Sequence, residues 1–543
     1  MPEAPEPIYA GSEPMPDAAA PAESSRWLIF RGDGQQGDLF AYDLANDGEP
    51  IAIGVDRGED ERIVISNDEH NDRFGWSNDG RAFGYIVRRP VQNNDHPLEY
   101  KDDLVVMTVG DELGVPERID LAGVTGFPHA SVMHVKWAPS GLQLVVAVQE
   151  HEDNTSPIGA LWILGRDGDG WRARQVPLDP DVGILKTFWL ARDQLVITTA
   201  EGDFSVVDRP YRYFVVDTTS ELIAPRELMG SRAFAVPLGS ATGRYISVVR
   251  EGLLEVFDTS SPDSAIEPAW TRDVVSGAAW APHEDRLLYW QPSNGVKAPN
   301  GADDIALLHE LNLEGDAPES HAIDSLRFAV DEEGQPVDDI GFASWSPSGE
   351  LVVVSTIGGL LVLDFARGEN IRVAAVDDLR QEWPELIGWT PHERILYRQG
   401  TQGRVADPSN GRSVELFGLD IFSSTEEELV RSADGSKLAV RSDLSHQQVT
   451  LCTDLDSDEP VTTTVLDYDR DGGLGYPGPT AALGHLGPTA AFARDGSAFA
   501  TTVSTTVFPG ETELDIVSFA SDGGARVKRI AMAVQSTPLL FQP

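Results

Sequence analysis

Apolar residues along this chain gather in short runs, some alternating with polar residues and some continuous. Each run is closed by Gly, Pro, Asp, Asn or Ser. Leu351-Val352-Val353-Val354, Gly359-Leu360-Leu361-Val362-Leu363-Asp364 and Asp38-Leu39-Phe40-Ala41-Tyr42-Asp43 are typical. Period two, β-branched content and turn residues at both ends predict strands joined by hairpins. Helical periodicity is nearly absent. Only Asp377 to Glu385 invites a helix, and that stretch is too short to shape the fold.

One phrase recurs among the strands: an aromatic residue, a small residue, a turn containing Gly, then an apolar run. The clearest copy is Trp345-Ser346-Pro347-Ser348-Gly349. Others begin at Trp76, Trp137, Trp280, Trp389, Ala433 and Phe492, with weaker copies at Trp189 and around Gly239 to Tyr245. The aromatic is expected to end an inner strand, Pro fixes φ on entry to the turn, and Gly accepts positive φ. From Trp76 to Phe492 the mean spacing is about 52 residues, room for a four-stranded unit with generous loops.

These phrases resemble the W-S-P-D-G-x-x-L signature of WD40-like β-propellers of the TolB, or PD40, repeat class, across most of residues 26–543. The sequence departs from that signature where His283 and His392 replace Asp. The resemblance implies an all-β fold, a large single β-propeller of about 8–10 four-stranded blades. Arg26-Trp27-Leu28-Ile29-Phe30 starts in mid-unit, and Ser536 to Phe541 reads as an inner strand without its blade. Pairing these N- and C-terminal strands would close the ring and remove open sheet edges.

Composition adds limits. Residues 1–25 hold Pro2, Pro5, Pro7, Pro14, Pro16 and Pro21 among Ala, Glu and Ser, and read as a disordered tether before a propeller at 26–543. Such a spacer is consistent with a bacterial cell-envelope protein (periplasm, outer membrane or surface) whose precursor carries a lipid anchor. Asp and Glu number 88 against 41 Lys and Arg, a formal charge of -47, which repels nucleic-acid backbones. No apolar run approaches the ~20 residues of a membrane-spanning helix. Arg88-Arg89 and Arg526-Val527-Lys528-Arg529 read as solvated strand edges, and Cys452 as a small buried residue of a strand.

In a four-stranded meander the signature turn joins strands one and two on one face. Connections from strand two to three, and from blade to blade, open on the other. Long insertions fall on that second set: Pro90 to Asp103, Glu150 to Gly159, Pro292 to Asp304, Thr401 to Arg412, Phe508 to Glu511 and Asp469 to Pro488. This looped face is where binding is expected.

Within it, Asp467, Asp469 and Asp471 alternate ahead of Gly472, as carboxylates do at the opening of calcium loops; Gly475 and Gly478 stand where further ligands would follow. Asp454, Asp456 and Asp458 repeat the alternation without the Gly. The 11 His residues, among them His129, His134 and His485, show no metal-binding spacing, and His283 and His392 read as local hydrogen-bonding turn residues. Arg31-Gly32-Asp33 reads as a hairpin tip. No G-x-S-x-G or phosphate-loop motif occurs. The leading expectation is a non-catalytic scaffold binding a protein or an envelope polymer. A lyase or hydrolase acting on glycan or peptide from the central channel, and a calcium-stabilised surface structural protein, remain open alternatives.

Overall fold

The computed structural model describes residues 26–541 except 33–37, 56–59, 65–73, 91–99, 151–157, 202–209, 261–265, 292–307, 314–317, 324–339, 376–383, 419–427, 443–447, 468–489, 505–511, 520–524, 531–539 and some shorter stretches. The described strands form ten four-stranded antiparallel sheets. Nine are meanders of consecutive strands, spanning 62–119, 130–176, 182–231, 238–273, 277–323, 340–375, 385–418, 428–467 and 490–530. The remaining sheet takes Trp27–Arg31, Leu39–Asp43 and Ile51–Ala52 from the start of the chain and Leu540–Phe541 from its end. Leu28 pairs with Phe541 and Ile29 with Leu540. The expected pairing of N- and C-terminal strands is thus made, and this sheet is numbered first below, the others second to tenth in chain order.

Local chemistry explains the repeat. Ala130–Trp137, Val182–Trp189, Gly277–Trp280, Ile340–Trp345, Glu385–Trp389 and Ala490–Phe492 all end on the aromatic residue of the phrase. In the turn that follows, Gly80, Gly141, Gly243, Gly349 and Gly435 take φ between 68 and 75°. An L-residue reaches that region at a cost of about 1–2 kcal/mol. The hydroxyls of Ser77, Ser240, Ser346 and Ser432 accept from the backbone N–H groups of Ala82, Tyr245, Leu351 and Lys437, at 2.9–3.1 Å. Gly239 has lost the aromatic, yet its turn keeps this serine and this glycine, which is why the sheet still forms.

The sheets stack face to face. Buried clusters join each sheet to the next from first to ninth; the inner strands Glu428–Arg431 and Ala490–Phe492 of the ninth and tenth lie side by side. Leu28 and Phe30 of the first sheet pack with Ala493, Ala498, Ala500 and Ile516 of the tenth. Ten stacked four-stranded sheets, nine of them simple meanders, make a β-propeller, at the upper end of the expected blade count. Cys452 is fully buried in the cluster between the eighth and ninth sheets, as expected, and burial pushes its thiol up to about 11.

The signature tryptophans also latch the sheets. The indole N–H of Trp137 donates to Gly75 O at 2.9 Å, Trp280 to Leu238 O at 3.1 Å and Trp345 to Ala279 O at 3.0 Å. Each acceptor directly precedes the aromatic position of the previous sheet. In the ninth sheet Arg431 stands where most of the others have an aromatic, and its guanidinium donates to Trp389 O at 2.9 Å. Gly388 makes that possible, because a Cβ there would lie 2.1 Å from Arg431 Nη1.

Some expectations are corrected. Thr401 to Arg412 is not an insertion: Gln402–Ala406 is a strand, and Asp407 to Arg412 forms a turn at the signature-turn end. Trp76 makes only an isolated bridge with Phe83, so the first strand of its sheet is Arg62–Val64. A short helix, Leu121–Thr125, closes on Gly126 at φ 80°. Most of Asp377 to Glu385 lies outside the described residues. Among the described residues no helix is long and apolar enough to cross a membrane.

Candidate binding face

The two faces of the molecule carry different chemistry. At the signature-turn end, neighbouring turns bond to one another. Thr242 donates its hydroxyl to Asp285 at 2.7–2.8 Å, His283 Nε2 lies 2.7 Å from Pro347 O, and Arg286 donates to Gly349 O at 2.9 Å. Ser348 N donates to Glu393 Oε1 at 3.2 Å. His283 is therefore a hydrogen-bonding turn residue, but its partner belongs to the next sheet rather than to its own turn. His392 lines a shallow cleft of 410 Å³ with Lys437, Asp454 and Asp456.

That cleft shows what one alternating carboxylate run does. Asp456 accepts from the Thr390 hydroxyl, and Arg394 reaches Ser457 O at 2.5 Å and Asp458 at 2.7 Å. The run thus fastens the eighth sheet's turn to the ninth sheet. Of the other run, Asp467 ends the strand Val461–Asp467 and pairs with Gln448, while Asp469 and Asp471 lie outside the described residues. Among the described residues no group of three or more His, Cys, Asp or Glu side chains could hold a metal ion. His129 and His485 also lie outside them. His134 is buried, with Nε2 3.1 Å from the Thr187 hydroxyl.

At the opposite end, the strand register aligns the residues that flank two of the long connections. Pro90 pairs with Tyr100 and Glu150 with Ile158, so these strand ends lie at the same end of adjacent sheets. By contrast the fifth sheet closes with the two-residue turn Glu251-Gly252, both at positive φ. The seventh and eighth sheets are equally short there, since Thr356 pairs with Gly359 and Gln399 with Gln402. The rim is therefore uneven. Phe234, 45% exposed in the connection from fourth to fifth sheet, packs edge-on against Tyr211.

The looped end of the second sheet holds an ionic network that sequence reading missed. Arg88 grips Asp102 through two bonds of 2.8 Å; Asp102 is fully buried and also accepts from Val132 N of the third sheet at 2.8 Å. Arg118 donates to both Glu61, at 2.7 Å, and Asp103, at 2.9 Å, and the hydrogen bond it gives to Glu61 above all raises its affinity for the proton. Arg62 and Arg88 both pack on the Tyr100 ring, at 5.0 and 5.3 Å. Arg88-Arg89 is thus not a solvated edge. Its signal was the Asp102-Asp103 pair, legible only once the register sets Arg88 opposite Asp102. In the second basic cluster, Lys528 reaches Gly48 O of the first sheet at 3.1 Å.

No family model matches this chain, and no curated protein matches it. Similar solved structures include a crystal structure of the eukaryotic initiation factor, at 11% identity over 96% of this chain and 99% of that one, with a TM-score of 0.45. Saccharomyces cerevisiae Sqt1 matches at 10% identity over 62% of this chain and 83% of its own, TM-score 0.33. Pyrococcus horikoshii acylaminoacyl peptidase matches at 14% identity over 67% and 56%, TM-score 0.30. All three scores fall below 0.5, and the propeller assignment rests on the ten sheets and their stacking.

Proposed function

We propose that this protein is a non-catalytic scaffold of the PD40-like repeat type, a closed ring that engages a protein partner through its looped face. The carrying observation is the division of labour between the two ends. Turns at the signature end bond across sheet boundaries, whereas the other end holds the strand ends Pro90, Tyr100, Glu150 and Ile158, between which the chain inserts its longer segments, and presents Phe234. Loops on a rigid scaffold are where binding residues concentrate. The experiment shortens residues 91–99 and 468–489 together and measures partner recovery by cross-linking. Loss of the partner with the melting temperature kept supports the looped face; full recovery removes it.

A calcium ion held by Asp467, Asp469 and Asp471 and an envelope setting belong to the same proposal. Calcium that binds only the folded chain raises its melting temperature, and Asp469→Asn would abolish that rise.

A further inference from the structure

The seam between the fifth and sixth sheets gathers polar side chains at its looped end. Leu254 and Val256 of the fifth sheet belong to the buried cluster of this seam, and the register sets Arg272 opposite Leu254 and Trp270 opposite Val256, on the same face. Tyr289 and Leu311 of the sixth sheet face them in that cluster, and His309 pairs with Tyr289. Contacts across the seam join these residues. The Trp270 and Tyr289 rings lie 5.3 Å apart, Tyr289 stacks on His309 at 4.8 Å, and Arg272 reaches Gln291 Oε1 at 3.4 Å. Gln291, itself buried, donates to Asp273 O at 2.8 Å.

Two groups of this cluster are poorly served. Arg272 is exposed and makes no ion pair among the described residues, although the chain holds 88 acidic residues against 41 basic; its bond to Gln291 is at the weak limit of length. His309 is buried, and its Nε2 has no hydrogen-bond partner, a costly state for a polar atom. The charge of Arg272 acts on both the His309 ring and the Tyr289 hydroxyl, so the guanidinium stands close to both. At the rim the β-branched Val274 is 48% exposed at φ 59°, held by the bond from Val275 N to Gly252 O at 2.7 Å. Backbone strain of this kind collects at functional sites. One guanidinium beside a neutral imidazole matches a single negative charge. A planar carboxylate fits the fork of Arg272 and leaves an oxygen to accept from His309 Nε2, whereas a phosphate dianion brings a second charge into the field of a chain at -47.

We propose that the looped end of this seam binds a carboxylate carried on an apolar group, with Arg272 and His309 on the carboxylate and the half-buried Trp270 against the apolar part. The site goes beyond the docking function proposed above and is read from small carboxylates alone, so either can fail without the other. The test follows the melting temperature of the full chain near pH 7 in sodium isovalerate, sodium acetate, isovaleramide or sodium phosphate, with ionic strength fixed by sodium chloride. Isovalerate raises it saturably, acetate needs about tenfold more for the same rise, and isovaleramide leaves it unchanged. Arg272→Gln abolishes the rise, and His309→Phe moves half-saturation upward about tenfold. Thr271→Gln, on the opposite face of the same strand, responds as the unaltered chain does. The site is refuted if isovalerate gives no saturable rise, if Arg272→Gln keeps the full response, or if phosphate acts where isovalerate does not.

Discussion

At the scale of single residues, two buried polar groups govern how the protein responds to change. His309 is 7% exposed and stacks on Tyr289 at 4.8 Å; burial first, and the charge of Arg272 second, push its pKa down from 6.5 to about 4. The folded chain therefore refuses a proton that the unfolded chain accepts. Stability from this group is complete above pH 6.5 and drains away as the pH falls toward 4. Melting curves between pH 7 and pH 4.5 should show a steeper acid decline for the unaltered chain than for His309→Phe; parallel curves would exclude this role. Asp102 is the second such residue. Asp102→Asn leaves Arg88 facing a neutral partner in a half-buried site and should cost about 3 kcal/mol, measured by urea unfolding. A cost below about 1 kcal/mol would show that solvent, not Asp102, holds Arg88. Residue types at the signature turns were readable in advance because their roles are local. The partners of Arg88 and Asp102 were not, since they depend on pairing between strands far apart in sequence.

Among elements, the unit that matters is the signature turn with the strands it joins. Gly349 and Gly435 share the same φ but not the same surroundings. A Cβ at Gly349 would touch Pro282 at an ordinary 3.5 Å, whereas at Gly435 it would lie 2.8 Å from Trp389 O. Gly349→Ala should thus cost only the backbone term of about 1–2 kcal/mol. Gly435→Ala should cost clearly more, because it also disturbs the seam with the eighth sheet. Equal losses in thermal unfolding would contradict that reading. The same turn explains what pattern reading caught and missed. Aromatic, small and Gly positions located nearly every unit, including the degenerate one at Gly239. Gln402–Ala406 was misplaced because Gln, Gly and Arg hide a strand from a hydrophobicity pattern, although Val405 and Ala406 are buried. Arg431 was overlooked as an aromatic substitute because its role lies in a donor reaching the previous sheet, which no composition rule encodes.

For the molecule as a whole, fold class and the meeting of the chain ends were legible because repetition multiplies a weak signal. The candidate site was less so. Topology assigns the long connections to one face, but the alternating carboxylates at Asp454 to Asp458 turned out to be fasteners between sheets. A chain with this excess of acidic groups repels itself, so raising sodium chloride should raise its melting temperature. A flat response would mean that local ion pairs already neutralise the surface field. Removing residues 540–543 should leave Trp27–Arg31 with an unpaired edge, lower the melting temperature and increase light scattering on heating. If stability and scattering are unchanged, the pairing of Leu28 with Phe541 is dispensable.

That pairing also sets a timetable. Elongation at about 5–20 residues per second keeps the first sheet waiting, on the order of half a minute or longer, for the strand that completes it. Throughout that interval Leu28 and Phe30, fully buried in the finished protein, lack their partners from the tenth sheet. The nascent chain therefore keeps these two side chains uncovered by the tenth sheet until that sheet is made. Any helper that shields it during synthesis has its target at Trp27–Arg31, and must let go only when the last strand arrives.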